Sequence, residues 1–285
     1  MKSTFKRIYQ NLITRMPVKA RRRIMYFRVT RRHLRLGRPR LFTEKINWRI
    51  VNDRRDILSG TCDKIWMQDF ARDAGVKVPN RIWVGTSLAE LAEVDLPARW
   101  VLKPNHSSGR VHFGEGKANL AELQAVTKGW LYEQTSVTLA DEWAYGEARK
   151  CFIAEERLGQ SDIDLPDYKF FVFHGKPELI QVDSSRFSGH ERRLYTPDWE
   201  PLEVVNIYPL GPVIPKPATL DQMLAAAAML GQPFDFIRVD FYEVGGEVIF
   251  GELTPYPGGG IEPYSPRSLD AVLGSKWTLP QLQQY

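Results

Sequence analysis

Apolar residues recur at helical spacing near the amino terminus (Phe5, Ile8, Tyr9, Leu12, Ile13, Met16), which predicts an amphipathic helix. Ile46, Trp48, Ile50 and Val51 give residues 42–58 the content of a short helical connector. A helix is expected from Thr61 or Asp63 to Gly75, where glycine can close it. Strands follow at 81–84 and 100–103, with a helix at 88–91 between them. Asn119 with Glu122 makes a capping-box start, and Leu120, Leu123, Thr127, Trp130 and Leu131 continue it at helical period. In the second half, 151–155, 168–174 and 177–182 read as strands, the last two joined at Gly175. Thr219 and Gln222 form a capping box for a helix at 220–230 that Gly231 ends. Residues 236–242 and 247–253 form a hairpin about Gly245-Gly246. Strands with flanking helices on both sides of residue 160 predict an α+β chain of two lobes.

Composition narrows the class. The 285 residues are 43% hydrophobic and 26% charged, a globular balance that suits one large domain or two small lobes. No run approaches the ~18–20 apolar residues that span a bilayer, and no apolar segment of signal-peptide type follows the basic start. Cys62 and Cys151 are far apart and lack metal spacing, which fits a reducing cytosol without disulfides. The five histidines form no ligand pair, so a zinc site is not expected. The net charge of +5 conceals an asymmetry, because residues 1–43 hold fourteen of the 39 Lys and Arg and no acid. The remainder has 25 basic and 34 acidic residues, a net of −9. Residues 1–41 therefore read as a basic, helical arm for an anionic surface such as phospholipid or a polyanionic glycan. Nothing downstream resembles a base-reading module, which disfavours nucleic acid. The plain alternative is a solvated extension that aids solubility.

The chemistry concentrates in Ile237-Arg238-Val239-Asp240 and Phe250-Gly251-Glu252-Leu253-Thr254. Alternation puts Arg238 and Asp240 on one face of their strand, and Glu252 with Thr254 on one face of the next. A two-residue turn would set Asp240 opposite Gly251 and send Glu252 to the other face. A three-residue connection would set Asp240 opposite Glu252 and Arg238 opposite Thr254, and a functional site requires that odd length. Two carboxylates so placed suit a hard cation such as Mg²⁺ under nucleotide phosphates. Arg238 would supply charge to a phosphoryl group or oxyanion. The alternative is an exposed hairpin with an ordinary Arg–Glu pair. In residues 101–110 an apolar strand ends at Lys103 and enters a small, polar loop, Asn105-His106-Ser107-Ser108-Gly109, able to offer N–H and hydroxyl groups to phosphate. It is not a Walker loop. In Asp167-Tyr168-Lys169-Phe170-Phe171-Val172-Phe173, Lys169 interrupts a hydrophobic strand and, if it faces inward, needs an anionic partner. An edge strand with a snorkelling lysine is the competing possibility.

In this order, segments 62–64, 101–109, 167–177, 238–240 and 250–257, with Leu269-Asp270 and Leu273-Gly274, resemble the TupA-like branch of the ATP-grasp superfamily. That branch is linked to teichuronopeptide and surface-polysaccharide synthesis. The resemblance runs from about Phe42 to Pro280. It implies two α+β lobes, 61–157 and 158–285, with ATP between them. It implies that Lys103 contacts the adenine and α-phosphate region, and that Ser107, Ser108 and Gly109 belong to the loop closing over the phosphates. Glu155 and Glu156 begin the adenine hinge, and Asp162 is the ribose candidate. Lys169 would face the γ-phosphate, with Lys64 near phosphate as well. Asp240 and Glu252 match the Mg²⁺ carboxylates and Arg238 the arginine at the reacting acyl phosphate. Thr254 stands where many members have asparagine, as a further oxygen ligand whose short reach favours one metal ion over two.

The implied reaction is attack of a carboxylate on the γ-phosphate, giving an acyl phosphate that an amine captures. The expected acceptor is a uronic or amino-acid carboxylate on a surface or capsule glycan or its lipid-linked precursor. Arg186, His190 and Arg192 are the candidates to bind it, against the alternative of solvated loop charges. A cytoplasmic location is expected, at the inner face of the membrane if the arm binds lipid. Two other readings stand beside this one: a glycan kinase or glycosyltransferase-like protein of polysaccharide biosynthesis, and a non-catalytic module docked on a membrane or polyanion.

Overall fold

The computed structural model describes residues 16–133, 137, 140–159, 165–184 and 189–282. Among them the helices of nine or more residues are α1 (Val18–Thr30), α2 (Phe42–Asn52), α3 (Lys64–Asp73), α4 (Leu220–Gly231) and α5 (Ser268–Lys276). A small antiparallel sheet contains β1 (Arg81–Gly85), β2 (Arg99–Pro104), β3 (His112–Glu115) and β4 (Phe152–Glu156), in the order β1-β4-β2-β3. The larger antiparallel sheet contains β5 (Asp167–Phe173), β6 (Lys176–Ser184), β7 (Glu191–Tyr195) and β8 (Pro201–Leu202). A short β9 (Val205–Asn206) lies outside it, and β10 (Phe236–Val244) and β11 (Glu247–Thr254) complete it in the order β11-β10-β5-β6-β7-β8. The expected strands are all present, within two residues at their ends.

Alternation explains how the small sheet is covered. Trp100 and Leu102 of β2 are buried with Leu91 and Leu123 from the helices Leu88–Ala92 and Leu120–Val126, which leaves Val101 and Lys103 on the opposite face. The second of these helices ends at Val126, short of the expected Leu131, and Gly129 at φ +82 turns the chain out of the right-handed path. β3 and β7 escape the sequence pattern. β7, Glu191-Arg192-Arg193-Leu194-Tyr195, reads as a charged loop, yet its alternation buries Arg192 and Leu194.

The large sheet is covered on both faces, and β5 is buried at all seven residues. Phe170 and Val172 face α4 through Leu220, Met223, Ala227 and Leu230. Phe171 and Phe173 pack on the other side with Phe236, Phe42, Ile46, Leu273 and Trp277, beneath α2 and α5. Fully burying such a side chain stabilises by about 1.5–3 kcal/mol, several times the spread of helix propensity per residue. This packing, rather than α2's own propensity, therefore holds α2 in place. α2 and α5 cover only part of that face. Further along it the side chains turn charged, beginning with Lys169 and Asp167, and this charged end adjoins the small sheet.

The described part of the expected basic arm, helical over α1, is anchored to the rest of the fold. Arg21 pairs with Asp141, and Arg22, fully buried, donates to Asn47 Oδ1 (2.8 Å), Ala140 O (2.9 Å) and Gly259 O. Tyr26, Leu34 and Leu36 pack against Trp48, Val51 and Ile261. A run of arginines looks solvated in sequence because its partners, Asn47, Ala140, Asp141 and Gly259, lie 25 to 237 residues away. The expected helix in the first sixteen residues lies outside the described residues except for Met16. Thr219 is also not the expected cap, because its hydroxyl donates to Glu243 (2.9 Å) instead.

A buried ion network ties α2 to β10. Asp235 accepts Arg49 (2.8 Å), Arg55 (2.6 Å) and the Trp277 indole (2.6 Å). Burial would raise its carboxyl, but Arg49 and Arg55 hold it below the usual carboxylate range. A depressed folded pKa contributes stability above the unfolded value and loses it as pH falls through the folded value. Asp235→Asn is expected to cost about 1.5–3 kcal/mol at neutral pH, and the difference from wild type to shrink in urea titrations below about pH 4.

Candidate active site

The β10–β11 hairpin resolves the question of register in an unexpected way. Its turn is the two-residue Gly245-Gly246, with Val244 opposite Glu247, the even length that would separate the carboxylates. The register then shifts by one between Asp240 and Phe241, because Gly251 is an extra residue on β11. Beyond this bulge Asp240 lies opposite Glu252 and Arg238 opposite Thr254. Glycine suits the position. A Cβ there would approach Asp240 O to 3.1 Å and the Tyr242 ring to 3.2 Å. The expected odd-length loop is thus replaced by an even turn and a bulge, with the same facing pairs.

Arg238 sits at the centre of this face. Its guanidinium donates to Asp240 through Nε (2.7 Å) and Nη2 (2.6 Å), and through Nη2 to Thr254 Oγ1 (3.0 Å) and Glu252 Oε1 (3.3 Å). Thr254 in turn donates to Glu252 (3.0 Å). β5 lies inside the sheet between β10 and β6, so Lys169 is not on an edge strand. It is 4% exposed, directly opposite Asp240, and donates to Asp240 (2.9 Å) and to Asp167. Burial alone would raise the Asp240 carboxyl, but Arg238 and Lys169 hold it below the usual range. Against the pull of burial, Asp240, Glu252 and Asp167 likewise hold the Arg238 guanidinium above its ordinary pKa.

The small sheet and α3 bring up a second set of groups. Lys103 pairs with Glu155 across β2 and β4 (2.6 Å), and Gln68 of α3 donates to the other Glu155 oxygen. Asp63 caps α3 by accepting from the N–H groups of Ile65 and Trp66 (both 3.0 Å), and also accepts from Asn105 (2.8 Å). It thereby ties the helix start to the polar loop after β2. Lys64 donates to the carbonyls of Asn105 (3.3 Å) and Ser107, also in that loop. Burial, reinforced by Lys103 and offset by Glu252 and Glu155, pulls the Lys64 pKa down to about 8. That electrostatic coupling joins the groups of the two sheets. Ser108 and Gly109 are exposed at the loop tip, with Gly109 at φ +73.

Other expected residues fall elsewhere. Glu156 alternates away from Glu155 and is exposed at the strand end, beside Asn80, Ile82 and Pro97 on the opposite side of the small sheet. It is not brought to the charged face, because neighbouring residues of a strand point to opposite sides. Asp162 and Arg186 lie outside the described residues. Arg192 is buried and committed to Asp183 (2.6 and 3.1 Å), Asn206 (2.6 Å) and Glu262 (3.2 Å). It therefore orders its neighbourhood rather than offering a free guanidinium. His190 stacks on Tyr208 at 3.6 Å and lies 3.5 Å from Asp183. Despite burial, Arg192 pulls the Asp183 carboxyl down to about 2, with Lys169 and Arg238 assisting.

The family profile described as "TupA-like ATPgrasp" matches residues 44–278, most of the chain. The chain belongs to the TupA-like ATP-grasp family. No curated protein matches it. Among solved structures it is similar to a D-alanine–D-alanine ligase from Bacillus anthracis, with 19% identity and a TM-score of 0.46 over 76% of this chain and 64% of that one. It is also similar to an L-amino acid ligase from Bacillus licheniformis (15%, TM-score 0.45, 70% and 44% covered). A third is N5-carboxyaminoimidazole synthetase from Staphylococcus aureus (11%, TM-score 0.43, 78% and 53% covered). The chain thus spans between 44% and 64% of the length of these structures.

The metal ion implied by an ATP-grasp fold fits the donor set of this TupA-like chain. The described residues contain no cluster of three or more acids, cysteines or histidines able to hold an ion. Mg²⁺, however, takes one or two protein carboxylates when phosphates and water complete its shell. Asp240 and Glu252 are opposite one another, and the Glu252 side chain is 38% exposed, so it retains free lone pairs. Thr254 is the adjacent hydroxyl. Sequence reasoning missed Gln68 and Asp183. Gln68 stands one turn after Lys64 on the same helix, and Asp183 lies opposite Asp167, so period and register were the available signals.

Proposed function

We propose that this TupA-like protein is an ATP-dependent carboxylate–amine ligase. The supporting observation is the pairing of Asp240 with Glu252 on a face shared with Arg238 and Lys169. This gives two hard-cation ligands and two fixed cations where a triphosphate would lie between the sheets. Mg²⁺ held by Asp240 and Glu252 would neutralise phosphate charge. Lys103 and Lys64 meet the phosphates from the small-sheet side, with Ser107, Ser108 and Gly109 covering them. Lys169 meets the γ-phosphate, exchanging its carboxylate partners for phosphate oxygens. The acceptor carboxylate oxygen bonds to the γ-phosphorus as the bond to ADP breaks, giving an acyl phosphate. The amine then attacks the carbonyl carbon, loses a proton and expels inorganic phosphate. Arg238 stabilises the oxygen that carries the developing charge.

The acceptor fits an acidic glycan, a uronic acid or a glycan-linked amino acid used in surface or capsule polysaccharide biosynthesis. His190 on its Tyr208 platform is the contact we assign to it. Arg192 contributes by holding Asp183 and Glu262. ATP as co-substrate implies that the reaction runs in the cytoplasm. Incubating the protein with Mg-ATP, uronic acids and hydroxylamine tests the proposal, because hydroxylamine captures an acyl phosphate as a hydroxamate. Hydroxamate that depends on both ATP and the acid is the expected result. ADP release with a stable phosphorylated sugar and no hydroxamate would mean that a hydroxyl is the acceptor, which would make the protein a kinase.

A further inference from the structure

The amino-terminal cations divide into two sets that the sequence cannot separate. Arg21 and Arg22 turn inward, onto Asp141 and onto the backbone carbonyls of Ala140 and Gly259, and so fasten α1 to the fold. Leu34 and Leu36, 6% and 9% exposed, fasten the segment that follows. Between and beyond these anchors, Arg23, Arg31, Arg32, Arg35, Arg38 and Arg40 are exposed. None of the six makes an ion pair among the described residues, and no acid occurs before Glu44 to neutralise them. Phe27 and Val29, 44% and 46% exposed, stand among them, with the Phe27 ring against His33 at 5.5 Å. The segment thus presents a cationic surface in which Phe27 lies one helical turn from Arg23, whereas Val29, two residues on, points to another side of α1.

We infer that this face docks the chain on an anionic lipid bilayer. Each exposed arginine attracts acidic headgroups within a Debye length. Phe27, one turn from Arg23, adds apolar area that can enter the headgroup–acyl boundary. A nucleic acid would use the same cations, but no base-reading module accompanies them in the chain. The inference does not rest on the ligase reading. Arg22 and Arg21 fix the orientation, so the face is a rigid part of the protein rather than a loose tether. The chain's remaining net charge of −9 would be repelled by the same membrane, which favours approach by this face alone.

Co-sedimentation of the full chain with phosphatidylglycerol/phosphatidylcholine vesicles, compared with phosphatidylcholine alone, tests the inference. Binding to the acidic vesicles that weakens with added salt is expected. Arg23→Gln/Arg35→Gln/Arg38→Gln should weaken it by about fivefold per cation removed, or about a hundredfold together. Its thermal unfolding and Mg-ATP binding should match wild type, because all three side chains are exposed and make no ion pair among the described residues. Phe27→Ala should lower the binding that survives high salt. Equal partition onto neutral vesicles, or a triple variant that binds like wild type, would overturn the inference. So would tighter retention on a mixed-sequence oligonucleotide than on acidic vesicles at the same salt, which would reassign the face to nucleic acid.

Discussion

Arg238→Lys should lower hydroxamate formation by about 10²–10³-fold while Mg-ATP binds within a few-fold of wild type. The expectation follows from the four hydrogen bonds that fix the guanidinium between Asp240, Glu252 and Thr254. Such a fork is held in place before any reaction begins, so it costs little reorganisation when charge develops on the transferring group. Lysine keeps the charge, and with it the general attraction for a triphosphate. It cannot reproduce the planar, bidentate contact with Asp240, so its ammonium would settle on one carboxylate and leave the reacting oxygen unsupported. Single-turnover hydroxamate assays alongside ATP calorimetry separate the two contributions. If affinity falls as far as turnover, Arg238 binds ground-state nucleotide and has no special place in the chemical step. If neither falls, the reacting centre lies elsewhere in the cleft.

How much of this site could be read in advance depended on the kind of constraint. Lys169 is legible because a lysine inside a run of buried aromatics demands an anion, and Asp167 and Asp240 supply it. The pairing of Arg238 with Asp240 is legible from alternation along one strand. The facing of Asp240 and Glu252 is not, since it depends on a bulge, and a glycine that supports a bulge looks in sequence like any other glycine. Glu155 and Glu156 show the same limit from the other side. The motif admits both, and only the phase of β4 sends one to Lys103 and the other to solvent. The amino-terminal segment was hardest, because the partners of Arg21 and Arg22 are fixed by tertiary packing alone. Arg192 reads as a free anion binder because strand pairing with Asp183 and packing against Asn206 and Glu262, which commit it, are set only in the fold.

Asp240→Ala is expected to destabilise the protein by about 3–5 kcal/mol and to remove the Mg²⁺ dependence of ATP binding. The carboxylate is 2% exposed and lies between Arg238 and Lys169, so its loss brings two buried cations together with only Asp167 and Glu252 to offset them. Thermal unfolding should drop by roughly 5–15 °C. The pH dependence follows from the depressed pKa of Asp240. Its stabilisation is complete above the unfolded carboxylate value of about 3.9 and is lost as pH falls through the folded value. The gap between wild type and variant should therefore close in acid. In the variant Lys169 would rely on Asp167, and Arg238 on Glu252 and Thr254, so adding Lys169→Met should cost further stability by stripping the buried Asp167 of its lysine. Nucleotide gives the complementary readout. Wild type should bind ATP more tightly with Mg²⁺, whereas the variant, short of a metal ligand but with Arg238 and Lys169 each relieved of one carboxylate, should take metal-free ATP at least as well. A variant as stable as wild type would show that Asp240 does not neutralise the two cations, and one with undiminished Mg²⁺ dependence would move the metal off Asp240. The two measurements are separable, because stability reports the carboxylate's part in the empty cleft and the metal dependence reports its part in the loaded one.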